Sequence, residues 1–195
     1  MTQVGAGRAS TVLALDDARV LRRGGAPERE ALVMEHARAA GYPVPAVHEV
    51  REDALVLERI HGPTMLADLR SRPWRLREHA RLLADLHRRL HAVPYEDGAL
   101  LHLDLHPENV LLSPAGPVVI DWTNARGGEP ALDVALSWVI ARTSGGLPGR
   151  WFARAFLGAF EREQILRALP EAAALRISDR NLTESERAAV RSLLC

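Results

Sequence analysis

The sequence predicts an α+β protein of two unequal lobes, a small antiparallel-sheet lobe with one helix followed by a larger, mostly helical lobe. Three observations carry this prediction. Up to Glu58 the chain breaks into short apolar runs rich in β-formers; beyond Pro63 the apolar spacing becomes helical; and proline or glycine separates the segments. At 195 residues the chain can bury a core without staples, and its lone cysteine, Cys195, excludes a disulfide framework or a cysteine metal cluster.

The elements follow in order. Thr11 to Leu15 and Arg19 to Arg22 read as strands of a hairpin turned by Asp16-Asp17. Pro27 suits a first helical turn, acidic Glu28 and Glu30 favour a helix start, and Ala31, Met34 and Ala37 keep helical spacing up to Gly41. "GYPVPAV" must be extended, because a residue before proline is pushed out of the helical region. Val47–Val50 and Ala54–Glu58 are two further strands, and the chain crosses between lobes near residues 58–62. Leu76, Ala80, Leu83, Leu86, His87 and Leu90 then form one apolar stripe of a helix ending before Pro94. "NVLL" and "PVVI", joined by Ser113 to Pro117, read as a second hairpin, the second strand ending in Asp121. From Pro130 onward the chain is helix-rich, with breaks expected at "TSGGLPG" and near Pro170. This divides the chain into 1–59 and 60–195.

Twenty-five basic residues balance 25 acidic ones, so no overall field favours nucleic acid or an anionic membrane. No signal peptide and no membrane-spanning run is legible, and the chain reads as cytoplasmic. Every basic residue is arginine, most simply a codon bias.

The chemistry concentrates in "LHLDLHPENVLL" and "VVIDW". A polar loop bonding its own backbone would account for His102, Asp104 and His106, and a zinc or dinuclear hydrolase could use them as ligands. The spacing favours another reading. An aspartate, an asparagine five residues later, an apolar strand, a tight turn and a second aspartate allow Asp104 to accept the proton of an attacking hydroxyl. Asn109 and Asp121 would then offer hard oxygen ligands to magnesium on a nucleotide phosphate.

These residues resemble the catalytic core of the aminoglycoside phosphotransferase and choline kinase-like family, related to protein kinases, with its H-G-D-x-H-x-x-N and I-D-W or I-D-F motifs. The resemblance implies a bilobal protein kinase-like fold with residues 1–59 as the nucleotide-binding lobe. The lobe 60–195 would hold the catalytic loop and a shortened set of acceptor-binding helices. It implies ATP or GTP and Mg2+ as cofactors, with Asp104 as catalytic base, Asn109 and Asp121 as magnesium ligands, and His102 and His106 bracing the loop. Leu103 stands where the family has glycine. "GGEPALDVALSW" resembles G-D-P-x-x-D-L-A, making Asp133 an acceptor for the catalytic loop, although a plain helical aspartate would look the same. "VGAGRASTV" follows the glycine-loop form with Ser10 replacing its third glycine, so Gly5 and Gly7 would approach phosphate and Val12 would cover adenine. Arg22 occupies the position of the family's phosphate-binding lysine, with Glu30 as its partner. Arginine keeps the charge and can bridge two oxygens bidentately. In "LVLERIHG" the Glu58 carbonyl and the Ile60 N–H would face the adenine edge.

The implied activity is transfer of a γ-phosphoryl group to a hydroxyl of a small molecule, by a chain that could form an oligomer. The alternative is a nucleotide-binding pseudokinase serving as a regulatory module, suggested by the missing lysine. A protein acceptor is disfavoured by the short stretch from Asp121 to Pro130. Glu161, Glu163, Glu171, Glu184 and Glu186 could face a polycationic acceptor, but interleaved arginines make a solvated surface the simpler reading. Trp138, Trp151, Phe152, Phe156 and Phe160 could cage a quaternary amine but are helically spaced, as core residues are. No acceptor is legible.

Overall fold

The computed structural model describes the backbone of residues 2–6 and 11–194 and the side chains of 11–194. Gly7 and Ser10 therefore lie outside the described residues, and only the backbone of Gly5 is seen.

The amino-terminal part is a five-stranded antiparallel sheet in the order β1-β2-β3-β5-β4, from β1 (Thr2–Ala6), β2 (Thr11–Ala14), β3 (Arg19–Arg23), β4 (Val47–Arg51) and β5 (Ala54–Glu58). The apolar run of β5 is buried on both faces. Leu55 and Leu57 join the main core with Val33 and Met34 of α1 (Pro27–Ala39), whereas Ala54 and Val56 meet Leu21 on the opposite face. In α1, Glu30 is among the buried residues, which demands a partner.

The crossing segment is pinned to the second part of the molecule. The Leu112 N–H donates to the Pro63 carbonyl and the Leu66 N–H to the Pro107 carbonyl. Gly62, at φ +150°, has no room for a side chain, since a Cβ there would lie 2.2 Å from the Leu112 carbonyl oxygen. Helix α2 (Met65–Ser71), capped by the Thr64 hydroxyl, leads through a 3-10 turn into α3 (Leu76–His91). The predicted stripe of α3 is its buried face from Ala80 to Leu90, while Leu76 at the helix start is only half-buried and borders the cleft.

The second hairpin forms as expected from β8 (Val110–Ser113) and β9 (Gly116–Val119), although β9 stops two residues short of Asp121. A small sheet not legible in the sequence joins β6 (Pro94–Tyr95), β7 (Gly98–Leu101) and β10 (Arg126–Gly128) in the order β10-β7-β6. Helix α4 (Pro130–Ser144), buried along most of its length, packs against α5 (Gly146–Leu157), α6 (Arg162–Ser178) and α7 (Glu184–Arg191).

One expectation fails here: the chain does not break near Pro170, which lies inside α6. Proline removes one backbone hydrogen bond, to the carbonyl of Leu166, an exposed residue where water can replace it. Ala172 and Ala173, fully buried just beyond, keep the helix running against α4.

Candidate active site

A cleft of about 1790 Å³ separates the sheet from the helical part. Arg22, Glu30, Glu58, Ile60, Asp104, His106, Asn109 and Asp121 all line it, as do Val12, Val20, Leu57, Leu111 and Ile120, which give it an apolar section. His102 and Asp133 lie behind this wall, fully buried.

The residues of the loop 102–106 are held from behind. The Asp133 carboxylate accepts the N–H of Leu103 at 2.8 Å and of His102 at 3.1 Å, so it is an acceptor for the loop rather than a plain helical residue. Burial works to raise its pKa, but the neighbouring His87 and His91 outweigh that and hold the carboxyl well below its ordinary range. The His102 ring donates from Nε2 to the Ile120 carbonyl at 3.1 Å and packs edge-on against the buried Trp122. That ties the loop to the segment carrying Asp121. Burial pushes the His102 pKa down, so its ring is neutral at pH 7.

Leu103 sits at φ +59°, a left-handed conformation that glycine adopts freely and leucine does not. Its side chain is buried at 6% exposure, so apolar burial offsets the backbone strain.

Asp104 follows. The Asn109 amide donates from Nδ2 to the Asp104 carbonyl at 2.9 Å and to Asp104 Oδ2 at 3.1 Å, leaving the amide oxygen as the atom suited to a cation. His106 Nε2 lies 3.5 Å from Asp104 Oδ1. Burial would raise the Asp104 pKa, but His106, with smaller contributions from His102 and Arg176, lowers it below the usual carboxylate value. Asp104 is thus ionised at neutral pH.

On the sheet side, Arg22 donates to Glu30 Oε2 at 2.6 Å, as the sequence predicts. Its other terminal nitrogen reaches across the cleft to Asp121 Oδ1 at 2.7 Å and to Thr123 Oγ1 at 2.6 Å. Thr123 in turn donates to Asp121 Oδ1 at 2.9 Å. Burial raises the Glu30 pKa against the opposing effect of Arg22. Asp121 is at φ +66°, which aspartate tolerates better than most residues.

Thr123 is a site residue that sequence reasoning missed; its only signal was its place two residues after Asp121. Arg23 is exposed and makes a loose 3.8 Å approach to Asp53. The Glu58 side chain accepts the Ala46 N–H at 3.0 Å, so it is anchored in the sheet while its backbone borders the cleft. The Arg59 N–H donates to Ala18, and the next residue, Ile60, borders the cleft.

On the far side, Ser144, Phe152, Arg176, Asp179, Asn181 and Glu186 form a wall of mixed charge. Of the candidate acids, Glu186 is the one lining the cleft. The aromatic residues do not form a cage there, since Phe156 and Phe160 pack on each other and on buried His87, and Trp151 is exposed.

Asn109 and Asp121 present a hard oxygen set suited to magnesium, and Asp121 retains Oδ2 beside the oxygen used by Arg22 and Thr123.

The architecture is a bilobal protein kinase-like fold. Residues 63–175, more than half of the chain, match the model of the phosphotransferase enzyme family, and the chain belongs to that family. Among solved structures it is similar to a thermostable mutant of aminoglycoside phosphotransferase APH(4)-Ia, with TM-score 0.69, 18% identity and coverage of 98% of this chain and 94% of that one. It is also similar to a Plasmodium vivax ethanolamine kinase, with TM-score 0.67, 12% identity and coverage of 99% and 82%. At these identities the likeness is one of fold. In sequence it is 36% identical over 93 residues to an Archaeoglobus fulgidus protein described as "Probable serine/threonine-protein kinase BUD32 homolog", covering 48% of this chain and 42% of that protein. It is 46% identical over 41 residues to a Salmonella paratyphi B thiamine kinase, covering 21% and 15%. The matches thus span less than half the length of these curated relatives. No helix among the described residues is long and apolar enough to cross a membrane.

Proposed function

We propose that this chain is an ATP- and magnesium-dependent phosphotransferase that moves the γ-phosphoryl group of the nucleotide to a hydroxyl of a small molecule. The observation that carries the reading is the convergence of Arg22, Glu30, Asp104, Asn109 and Asp121 on one cleft, although they are spread over a hundred residues of sequence. The purine would lie in the apolar section between Val12, Val20, Leu57, Leu111 and Ile120, along the Glu58–Ile60 backbone. Arg22, oriented by Glu30, would hold the phosphates. Magnesium, held by Asn109 and Asp121, would neutralise charge on the transferring phosphates. Asp104 would take the proton of the acceptor hydroxyl as its oxygen bonds to the γ-phosphorus and the bond to the β-phosphate bridging oxygen breaks. Asn109 and His106 would keep that carboxylate aimed at the acceptor.

One observation favours a second reading, a nucleotide-binding regulatory module. Arg22 bonds Asp121 at 2.7 Å, so the cation takes up one oxygen of the carboxylate that would hold magnesium. Calorimetric titration of ATP with and without magnesium, on the unaltered chain and on Asp121→Asn, tests both. Magnesium-dependent binding lost in the variant is expected. Absence of ATP binding under every condition would refute the phosphotransferase reading. Phosphate transfer would then be assayed on thiamine, ethanolamine, choline and aminoglycosides against a protein panel; binding without any transfer would favour the regulatory module.

A further inference from the structure

Behind the catalytic loop, His87 and His91 stand one turn apart at the end of α3 and converge on Asp133 in α4. One ligand atom from each lies within 4.8 Å of the others. His91 Nε2 is 3.0 Å from Asp133 Oδ2, and His87 Nδ1 is 3.5 Å from the same oxygen. Ligand atoms bound at about 2.0–2.2 Å in a tetrahedral zinc site lie at comparable mutual separations.

Hydrogen bonding within the trio accounts for His91 but not for His87. The His87 ring is fully buried, and among the described residues neither of its nitrogens makes a hydrogen bond of normal geometry, Nδ1 standing 3.5 Å from Asp133. Phe156 and Phe160 pack against it at centroid distances of 5.4 and 6.2 Å. A wholly buried imidazole without partners is costly unless something unseen engages it.

We propose that His87, His91 and Asp133 bind one borderline divalent transition-metal ion, with zinc as the best-suited species. Two imidazoles and a carboxylate match zinc or cobalt, whereas magnesium prefers an all-oxygen set. A cavity of about 340 Å³, lined by Ala92, Pro130 and Val134, reaches the cluster at His91, the side from which an ion would enter. The ion ties α3 to α4 and braces the carboxylate that holds the Leu103 and His102 N–H groups. Its role is structural, it touches no reacting atom, and the site is independent of the proposed activity.

The test uses the whole chain, stripped with a chelator and then dialysed against zinc or cobalt(II) chloride in excess magnesium. Elemental analysis is expected to find one ion per chain, and cobalt to give the intense visible bands of four-coordinate geometry. The thermal midpoint should rise by about 5–10 °C at free zinc a hundredfold above Kd. His91→Gln, at the helix end, should lose the ion and the shift while melting near the metal-free parent. Absence of uptake, displacement by magnesium, or undiminished binding in His91→Gln would each overturn the site. If that variant does not fold, the cobalt spectrum of the unaltered chain decides, and a pale six-coordinate spectrum overturns it.

Discussion

Two charged hubs organise the molecule, and they differ in which sign of charge is at the centre. In the cleft a cation, Arg22, gathers two carboxylates, Glu30 from the sheet side and Asp121 from the helical side. Behind the loop a carboxylate, Asp133, gathers two backbone N–H groups and two histidines, all in the helical part. The Asp133 side chain is wholly buried and faces the loop and the two histidines rather than the cleft, so no nucleotide can exchange for its partners. The Asp121 side chain is 33% exposed, so a nucleotide could exchange for it. A hub that bridges two lobes and meets solvent can be rearranged by a ligand, while a sealed hub holds one loop conformation.

The largest expected effect separates chemistry from both hubs. Asp104→Ala should lower turnover by about 10²–10⁴-fold, the usual worth of a general base. Nucleotide affinity should stay close to the parent value, since neither hub is touched. Steady-state kinetics beside calorimetric ATP titration checks this, and turnover equal to the parent would remove Asp104 from the chemistry.

Next comes the cleft hub itself. Arg22→Met leaves Glu30 buried without its cation, and breaking a buried pair from one side costs about 3–5 kcal/mol. The variant should denature at markedly lower urea and lose ATP binding. Arg22→Lys should recover part of the stability, because an ammonium keeps the charge but cannot match the fork that reaches Glu30 and Asp121 together. Equal stability of all three proteins would mean that the hub contributes nothing to holding the lobes.

Both hubs were partly legible in the sequence, for different reasons. Arg22, Glu30, Asp104, Asn109 and Asp121 sit at motif spacings, and β3, α1 and the β8–β9 hairpin are bounded by glycine, proline or acidic turn residues, so the elements bearing them could be read directly. Thr123 was missed because a threonine after a motif aspartate has no pattern of its own until folding brings Arg22 against it. The trio of His87, His91 and Asp133 was missed because His87 belongs to an apolar stripe, where a histidine looks like core. The β6-β7-β10 sheet has strands of two to four residues, too short for any period to emerge. Pro170 misled because a local rule was applied where the packing of Ala172 and Ala173 on α4 overrides it.

A smaller effect tests how the sealed hub holds its loop. Leu103 combines left-handed strain, about 1–2 kcal/mol for an L-residue, with burial whose loss on truncation costs about 2–5 kcal/mol. Burial is the larger quantity, so Leu103→Gly should destabilise despite relieving strain. Leu103→Ala should destabilise more, because it loses the side chain and keeps the strained backbone. Chemical denaturation of the pair gives the ordering, and the reverse order would show that the backbone is unstrained.

The smallest effect concerns a carboxylate at the edge of the helical part, a control for the sealed hub. Asp68 on α2 bonds His79 at 2.7 Å, Arg75 at 2.8 Å and Arg72 at 3.0 Å. The hydrogen bond from His79, helped by the two arginines, lowers its pKa despite the opposing effect of burial. A carboxylate depressed in the fold contributes stability that is complete above its unfolded value, about 3.9, and lost as pH falls through the lower folded value. Acidification below about pH 4 should therefore lower the parent's melting temperature more steeply than that of Asp68→Asn, which has no carboxylate to titrate there. At neutral pH the order inverts into a deficit for the variant, because its amide cannot replace the charge that three cationic or polar partners surround. Parallel slopes in melts across that acid range would show that solvent screens Asp68, and only carboxylates sealed like Asp133 would then couple the fold to pH.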